Sequence, residues 1–157
     1  MSTLKTNTIQ AATGTTVSVT SGHSLKTNTL TGTTTAGSIL VTGEGNSTTT
    51  NLQQGLCKAW ATLDGTGTIA FRDSFNQSAA TDNGTGDYTF NFNNDFSDRN
   101  RCVNYTINND EGTGRPYVAT EIGTPAAGTS RVDNSVSNSP GDTDCEDCYL
   151  TAFGDLA

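Results

Sequence analysis

The stretch that most constrains this chain is Asp82-Asn83-Gly84-Thr85-Gly86-Asp87-Tyr88-Thr89-Phe90-Asn91-Phe92. Tyr88, Phe90 and Phe92 alternate with Thr89 and Asn91. An extended chain therefore carries three aromatic rings on one face and polar groups on the other. A helix would spread the same rings around its circumference, where no single core could bury them. The residues ahead of the run combine Asp, Asn and Gly, which suit the positive φ and local hydrogen bonds of a tight turn. A second turn of this kind, Asp64-Gly65-Thr66-Gly67, precedes residues 68–72, where Ile69 and Phe71 share a face.

Alternation recurs on both sides of this frame. At residues 56–63, Cys57, Ala59, Ala61 and Leu63 fall on one face, with Lys58, Trp60 and Thr62 on the other. That places Trp60 at a core edge or a subunit contact. Residues 102–107 repeat the pattern with Val103, Tyr105 and Ile107, and weaker strands are expected at 117–122, 130–137 and 149–153. No segment has a convincing helical period. The expected core is Ile69, Phe71, Phe75, Tyr88, Phe90, Phe92, Val103, Tyr105, Ile107, Val118, Leu150 and Phe153, with Trp60 at its margin. Many short strands separated by turn signals predict an all-β head, a β-sandwich or barrel, of which we take the sandwich.

Composition agrees with that class. Only 32% of the residues are hydrophobic and 15% charged, the balance being largely Thr, Ser, Asn and Gly. Thr favours strands, and Asn and Gly favour turns. A formal charge of −8 opposes the phosphate contacts of a nucleic-acid binder and the surface of an anionic membrane. The first residues, MSTLKTNTIQ, lack the apolar segment of a signal peptide, so synthesis in a cytoplasm without a visible secretion signal is expected.

The first 51 residues read differently. Leu4-Lys5-Thr6-Asn7-Thr8-Ile9 recurs as Leu25-Lys26-Thr27-Asn28-Thr29-Leu30. Each copy leads through a Thr/Gly turn to a second apolar strand, Val17-Ser18-Val19 and then Ser38-Ile39-Leu40-Val41. Such repeats bury a face only against neighbouring units. So few apolar side chains are available that a rigid arm would need partner chains. The expectation is a repeat-built β shaft, trimeric and prism-like, over 1–51, followed by the sandwich head over 52–157. The competing reading is a flexible Thr/Gly tether. Residues 44–51, without apolar side chains or alternation, read as a linker.

The opening MSTLKTNTIQ, followed after a variable arm by Lys58-Ala59-Trp60, Gly65-Thr66-Gly67-Thr68, Arg72-Asp73-Ser74-Phe75-Asn76 and residues 81–92, resembles short fibre proteins of tailed bacteriophages, especially those of marine and cyanobacterial hosts. The resemblance covers the first ten residues and much of 58–92. It implies a homotrimeric virion protein with an N-terminal β shaft and a C-terminal head able to touch the host surface. Its implied partners are copies of itself, other virion proteins through the arm, and a host-surface glycan or protein. Cys57, Cys102 and everything from Gly112 onward depart from the pattern, and receptor specificity is expected in that unmatched part.

The resemblance supplies no catalytic residue, and the search for chemistry adds none. His23, the only histidine, lies in the Ser21-Gly22-His23-Ser24 turn, away from any scaffold that could hold a catalytic triad. The carboxylates Asp64, Asp73, Asp82, Asp87, Asp95, Asp98, Asp110 and Glu111 could in principle supply a glycan-cleaving acid pair. Most sit in turns, where bonding to nearby backbone N–H groups accounts for them. Two acidic loops are candidate calcium sites, 82–87 and the alternating Asp142, Asp144 and Glu146. The second lacks the glycine and distal glutamate of an EF-hand. Cys145 and Cys148 form a CxxC pair outside any βαβ context, with acidic neighbours that raise thiol pKa values, and all four cysteines together do not make a zinc pattern. No catalytic, metal or cofactor site is therefore expected. The function expected is attachment as a non-enzymatic virion fibre, against a purely structural adaptor or capsid-decorating fibre and a tailspike-type glycan hydrolase.

Overall fold

A computed structural model describes residues 21–22, 24–31, 39–43, 45, 47–108, 117–136 and 141–157. The first copy of the repeat, its turns, His23, Asp110 and Glu111 lie outside the described residues. The ordered elements are β1 (Leu40–Thr42), β2 (Thr49–Asn51), α1 (Leu52–Gly55), β3 (Ala59–Asp64), β4 (Ala70–Phe75), β5 (Gln77–Gly84), β6 (Asp87–Phe92), β7 (Cys102–Asn108), β8 (Tyr117–Glu121), β9 (Thr129–Val136) and β10 (Asp147–Phe153). They make three antiparallel sheets: a hairpin of β1 and β2, a first four-stranded sheet in the order β4-β3-β10-β7, and a second in the order β5-β6-β9-β8.

The two larger sheets face each other through their alternating apolar residues. Ala59, Ala61 and Leu63 from β3, with Cys148, Leu150 and Ala152 from β10, meet Tyr88, Phe90 and Phe92 of β6 and Val132 of β9. Phe90 is central, with ring centroids 6.0 Å from Phe71 and 6.3 Å from Tyr105 across the sheets. Burying one such ring stabilises the fold by about 1.5–3 kcal/mol. Small residues on β3 leave room for the β6 rings opposite, so the faces interlock large on small.

The chain crosses from the first sheet to the second at Asn76, whose φ of 57° lies in the left-handed region. Asparagine tolerates that conformation better than most residues. Its side chain also braces the corner, since Oδ1 accepts from the Asn94 N–H at 2.7 Å and Nδ2 donates to the Asn94 carbonyl at 3.0 Å.

Several expectations are corrected by this arrangement. Phe75 is 52% exposed and Val118 43% exposed. Phe75 ends β4 on the outer face, and Val118 lies on the edge strand β8. Phe153 is only half-buried, because it stands an odd number of residues from Leu150 and so falls on the opposite face of β10. Trp60, by contrast, keeps the face that alternation gives it, half-buried on the outer side of β3. Residues 77–84, not expected as a strand, form β5 by pairing with β6, and the expected linker contains β2. Residues 25–30, the second copy of the repeat, contain no strand, whereas β1 forms within the apolar run after it.

Helix α1 joins the small hairpin to the sandwich. Asn51 caps it, accepting from the Gln53 N–H at 2.9 Å. Lys58 Nζ donates to Gln53 Oε1 at 2.9 Å, and Gln54 donates to Asp155. Among the described residues no helix is long and apolar enough to cross a membrane.

Candidate binding face

Each end of the sandwich is closed by a polar cluster, and both clusters are occupied internally. At one end the Arg101 side chain, 2% exposed, lies against both the Phe92 and Phe96 rings, which meet edge to face at 5.0 Å, with its guanidinium carbon 5.2 and 5.4 Å from their centroids. It donates to the Ala126 and Thr129 carbonyls at 2.6 Å each and to Ser130 Oγ at 3.2 Å. Ser130 donates to Glu121 at 2.6 Å and contacts the Tyr105 hydroxyl. Burial holds the Tyr105 hydroxyl well above the ordinary phenol range. A serine bonded to a carboxylate suggests a nucleophile, but Ser130 is only 1% exposed and oriented by three neighbours. The cluster serves packing.

At the other end the acidic loop folds inward. Asp144 Oδ1 accepts from the Gly86 N–H at 2.8 Å and from the Tyr88 hydroxyl at 2.7 Å; the Gly65 carbonyl lies 2.8 Å from the same hydroxyl and shares its one proton. Burial, then Asp144, raises the Tyr88 pKa. Cys145 and Cys148 are both wholly buried beneath this loop, and all four cysteines are free thiols. Asn134 Nδ2 donates to Cys145 Sγ at 3.2 Å. The hydrogen bond with Cys148, burial, and the charges of Asp144 and Asp147 hold the Cys145 thiol well above its usual range. A reactive cysteine needs a lowered pKa and access; the hydrogen bond with Cys145 does lower the Cys148 thiol, but that sulfur is wholly buried.

Among the described residues, most of the candidate catalytic carboxylates are engaged locally. Asp64, Asp82 and Asp98 each accept a nearby backbone N–H, from Thr66, Gly84 and Asn100 at 3.0, 2.9 and 2.7 Å. Asp87 pairs with Arg131, which keeps its carboxyl below the ordinary range. Asp73 accepts from the Ser74 N–H at 2.8 Å. Of the calcium candidates, Asp144 is turned onto Tyr88, and among the described residues no group of three or more His, Cys, Asp or Glu side chains is placed to hold a metal ion.

What remains is the outer face of the first sheet. Cross-strand register aligns Phe75, Trp60, Thr151 and Asn104 in one row across β4, β3, β10 and β7. A second row on the same face runs Asp73, Thr62, Tyr149 and Thr106. At roughly 4.8 Å between strands, each row spans about 15 Å. Phe75, Asp73, Thr151, Asn104 and Thr106 are exposed, and Trp60, Thr62 and Tyr149 half-buried. Beyond the second row, the bulged Arg72 is engaged by Asp64 and Asp147 at 3.0 Å each. The face thus sets aromatic rings among uncharged polar side chains, with Asp73 as the charged member of the two rows. Alternation marked Trp60 as outward-facing; its alignment with Phe75 and its nearness to Tyr149 depend on strand order, which local sequence does not carry.

No family model matches the chain, and comparisons with curated proteins and with solved structures return no match.

Proposed function

We propose that this chain is a non-enzymatic fibre protein of a tailed-phage virion, homotrimeric through its N-terminal segment and contributing to host-surface attachment through its sandwich head. The observation that carries this reading is the uncovered apolar surface of the N-terminal segment. Leu25, Leu30, Leu40 and Val41 are all exposed, Leu25 at 66% and Leu40 at 62%. The repeat that includes Leu25 and Leu30 supplies the same motif twice per chain. Wrapping copies of the chain about a common axis would bury these side chains and complete a shaft of β-prism type. The phage-fibre resemblance of residues 1–10 and 58–92 supports the virion assignment.

Light scattering tests the assembly. The intact protein should have about three times the chain mass of 16.3 kDa, and a monomer would exclude the shaft. Adsorption tests the role. A receptor-binding fibre adsorbs to host cells and competes with infection, whereas an adaptor or capsid-decorating fibre stays on the virion and fails to adsorb. Release of reducing ends from host polysaccharide would instead indicate a hydrolase.

A further inference from the structure

Resting on the attachment reading, we propose that the outer face of the first sheet is a carbohydrate-binding platform, with Trp60 and Phe75 as its stacking surface and a neutral oligosaccharide as its ligand.

The chemistry of the face selects this ligand. Trp60 and Phe75 are direct cross-strand neighbours, and Tyr149 stands in the adjoining row on the next strand. Pyranose rings present apolar C–H faces that lie against aromatic rings, while their hydroxyl edges need donors and acceptors alongside. Thr62, Thr151, Asn104 and Thr106 provide both functions, and none makes a side-chain hydrogen bond among the described residues. The row of about 15 Å suits a short oligosaccharide lying across the strands.

Charge narrows the choice further. Asp73 stands within the second row, while the Arg72 charge is offset by Asp64 and Asp147. The face is therefore neutral along the aromatic row and acidic at its border. Anionic glycans meet repulsion there. Single-stranded nucleic acid, which also stacks on aromatic rings, requires a cationic groove that this face lacks. An uncharged polyhydroxylated ligand encounters none of these penalties.

Trp60 is the only tryptophan, so intrinsic fluorescence reports directly on the proposed site. The intact protein is titrated with cellohexaose, maltohexaose, chitohexaose, an alginate oligomer and a single-stranded oligonucleotide. At least one neutral hexasaccharide should shift Trp60 emission saturably. Calorimetric titration of Trp60→Ala and Phe75→Ala with that sugar should show about tenfold weaker binding. Val118→Ala, on the second sheet, should bind as the parent does. Because Phe75 is more than half exposed, its replacement leaves the fold intact, which circular dichroism verifies. Binding by no neutral sugar, preference for alginate or the oligonucleotide, or unchanged affinity in the Phe75 variant would overturn the proposal. So would a change of oligomeric state in either variant, since the face would then be a subunit contact. Adsorption to host cells is measured in parallel. Adsorption without sugar binding defeats the platform and leaves attachment standing, whereas sugar binding without adsorption defeats the attachment reading.

Discussion

The two ends of the sandwich are closed by opposite charges. At one end a buried arginine reaches the backbone carbonyls of residues 126 and 129 and packs against a contacting pair of phenylalanine rings; at the other a carboxylate gathers a tyrosine hydroxyl and a glycine N–H. Both satisfy backbone groups at the rims of the sheets, where the ladders end. They differ in how much they exclude water. Arg101 is almost wholly covered, whereas the acidic end stays partly open and keeps several carboxylates together. A chain with few apolar residues can thus complete its core with charged groups, provided each finds fixed partners.

Arg101→Met should break this comparison most severely. It retains much of the packing and leaves Glu121 its Ser130 partner, but removes the 3.4 Å ion pair and the charged donor to the Ala126 and Thr129 carbonyls, at about 1–3 kcal/mol for each carbonyl in chemical denaturation. Gly86→Ala attacks the other end. Gly86 has φ +71°, and an added Cβ would come within 2.6 Å of the Asn134 carbonyl and 2.8 Å of the Thr143 backbone. Backbone strain alone should cost about 1–3 kcal/mol, and displacement of the acidic loop should appear as increased thiol labelling of Cys145 and Cys148. Tyr88→Phe is a milder test of the same end, removing one hydroxyl at about 1.5 kcal/mol.

The smallest effect sharpens the contrast through pH. Burial, then Asp142, raises the Asp133 pKa, and its Oδ1 lacks a hydrogen-bond partner. A raised carboxyl pKa means that the folded state holds its proton more tightly, so this group's contribution to stability declines as pH rises from the ordinary aspartate range through the folded value. Asp133→Asn should therefore stabilise the protein at neutral pH, by about 1 kcal/mol or less because the group is partly exposed. The gain should vanish in acid, where both forms are uncharged. Asp87 has the opposite sign. Its lowered pKa, caused chiefly by the hydrogen bond from Arg131, gives stability that is present at neutral pH and lost as pH falls through its folded value. Thermal melts across that window separate the two.

Legibility followed the strength of alternation. Tyr88, Phe90 and Phe92 could be assigned to the core because three rings on one face leave a strand little choice. Phe75, Val118 and Phe153 were assigned by residue type, and strand direction placed them elsewhere. Phe96 had no alternating neighbours at all, and it is buried because the segment 93–100 folds back under Arg101. Cys145 sits in a polar stretch, and its burial depends on the distant Gly65 and Asn134. β5 has no apolar pattern of its own and is held by pairing with β6.

Local order by itself determined the β class, the turns at Gly65 and Gly86, and the inward faces of β3, β6 and β7. Alternation and turn chemistry act over a few residues and need no distant partner. The tertiary structure alone decided which strands share a sheet, how the ends are closed, and that Trp60 and Phe75 stand side by side. Those outcomes depend on hydrogen-bond ladders between segments far apart in the chain. A period-two pattern assigns a residue to a face, but only the completed sheet determines its neighbour on that face.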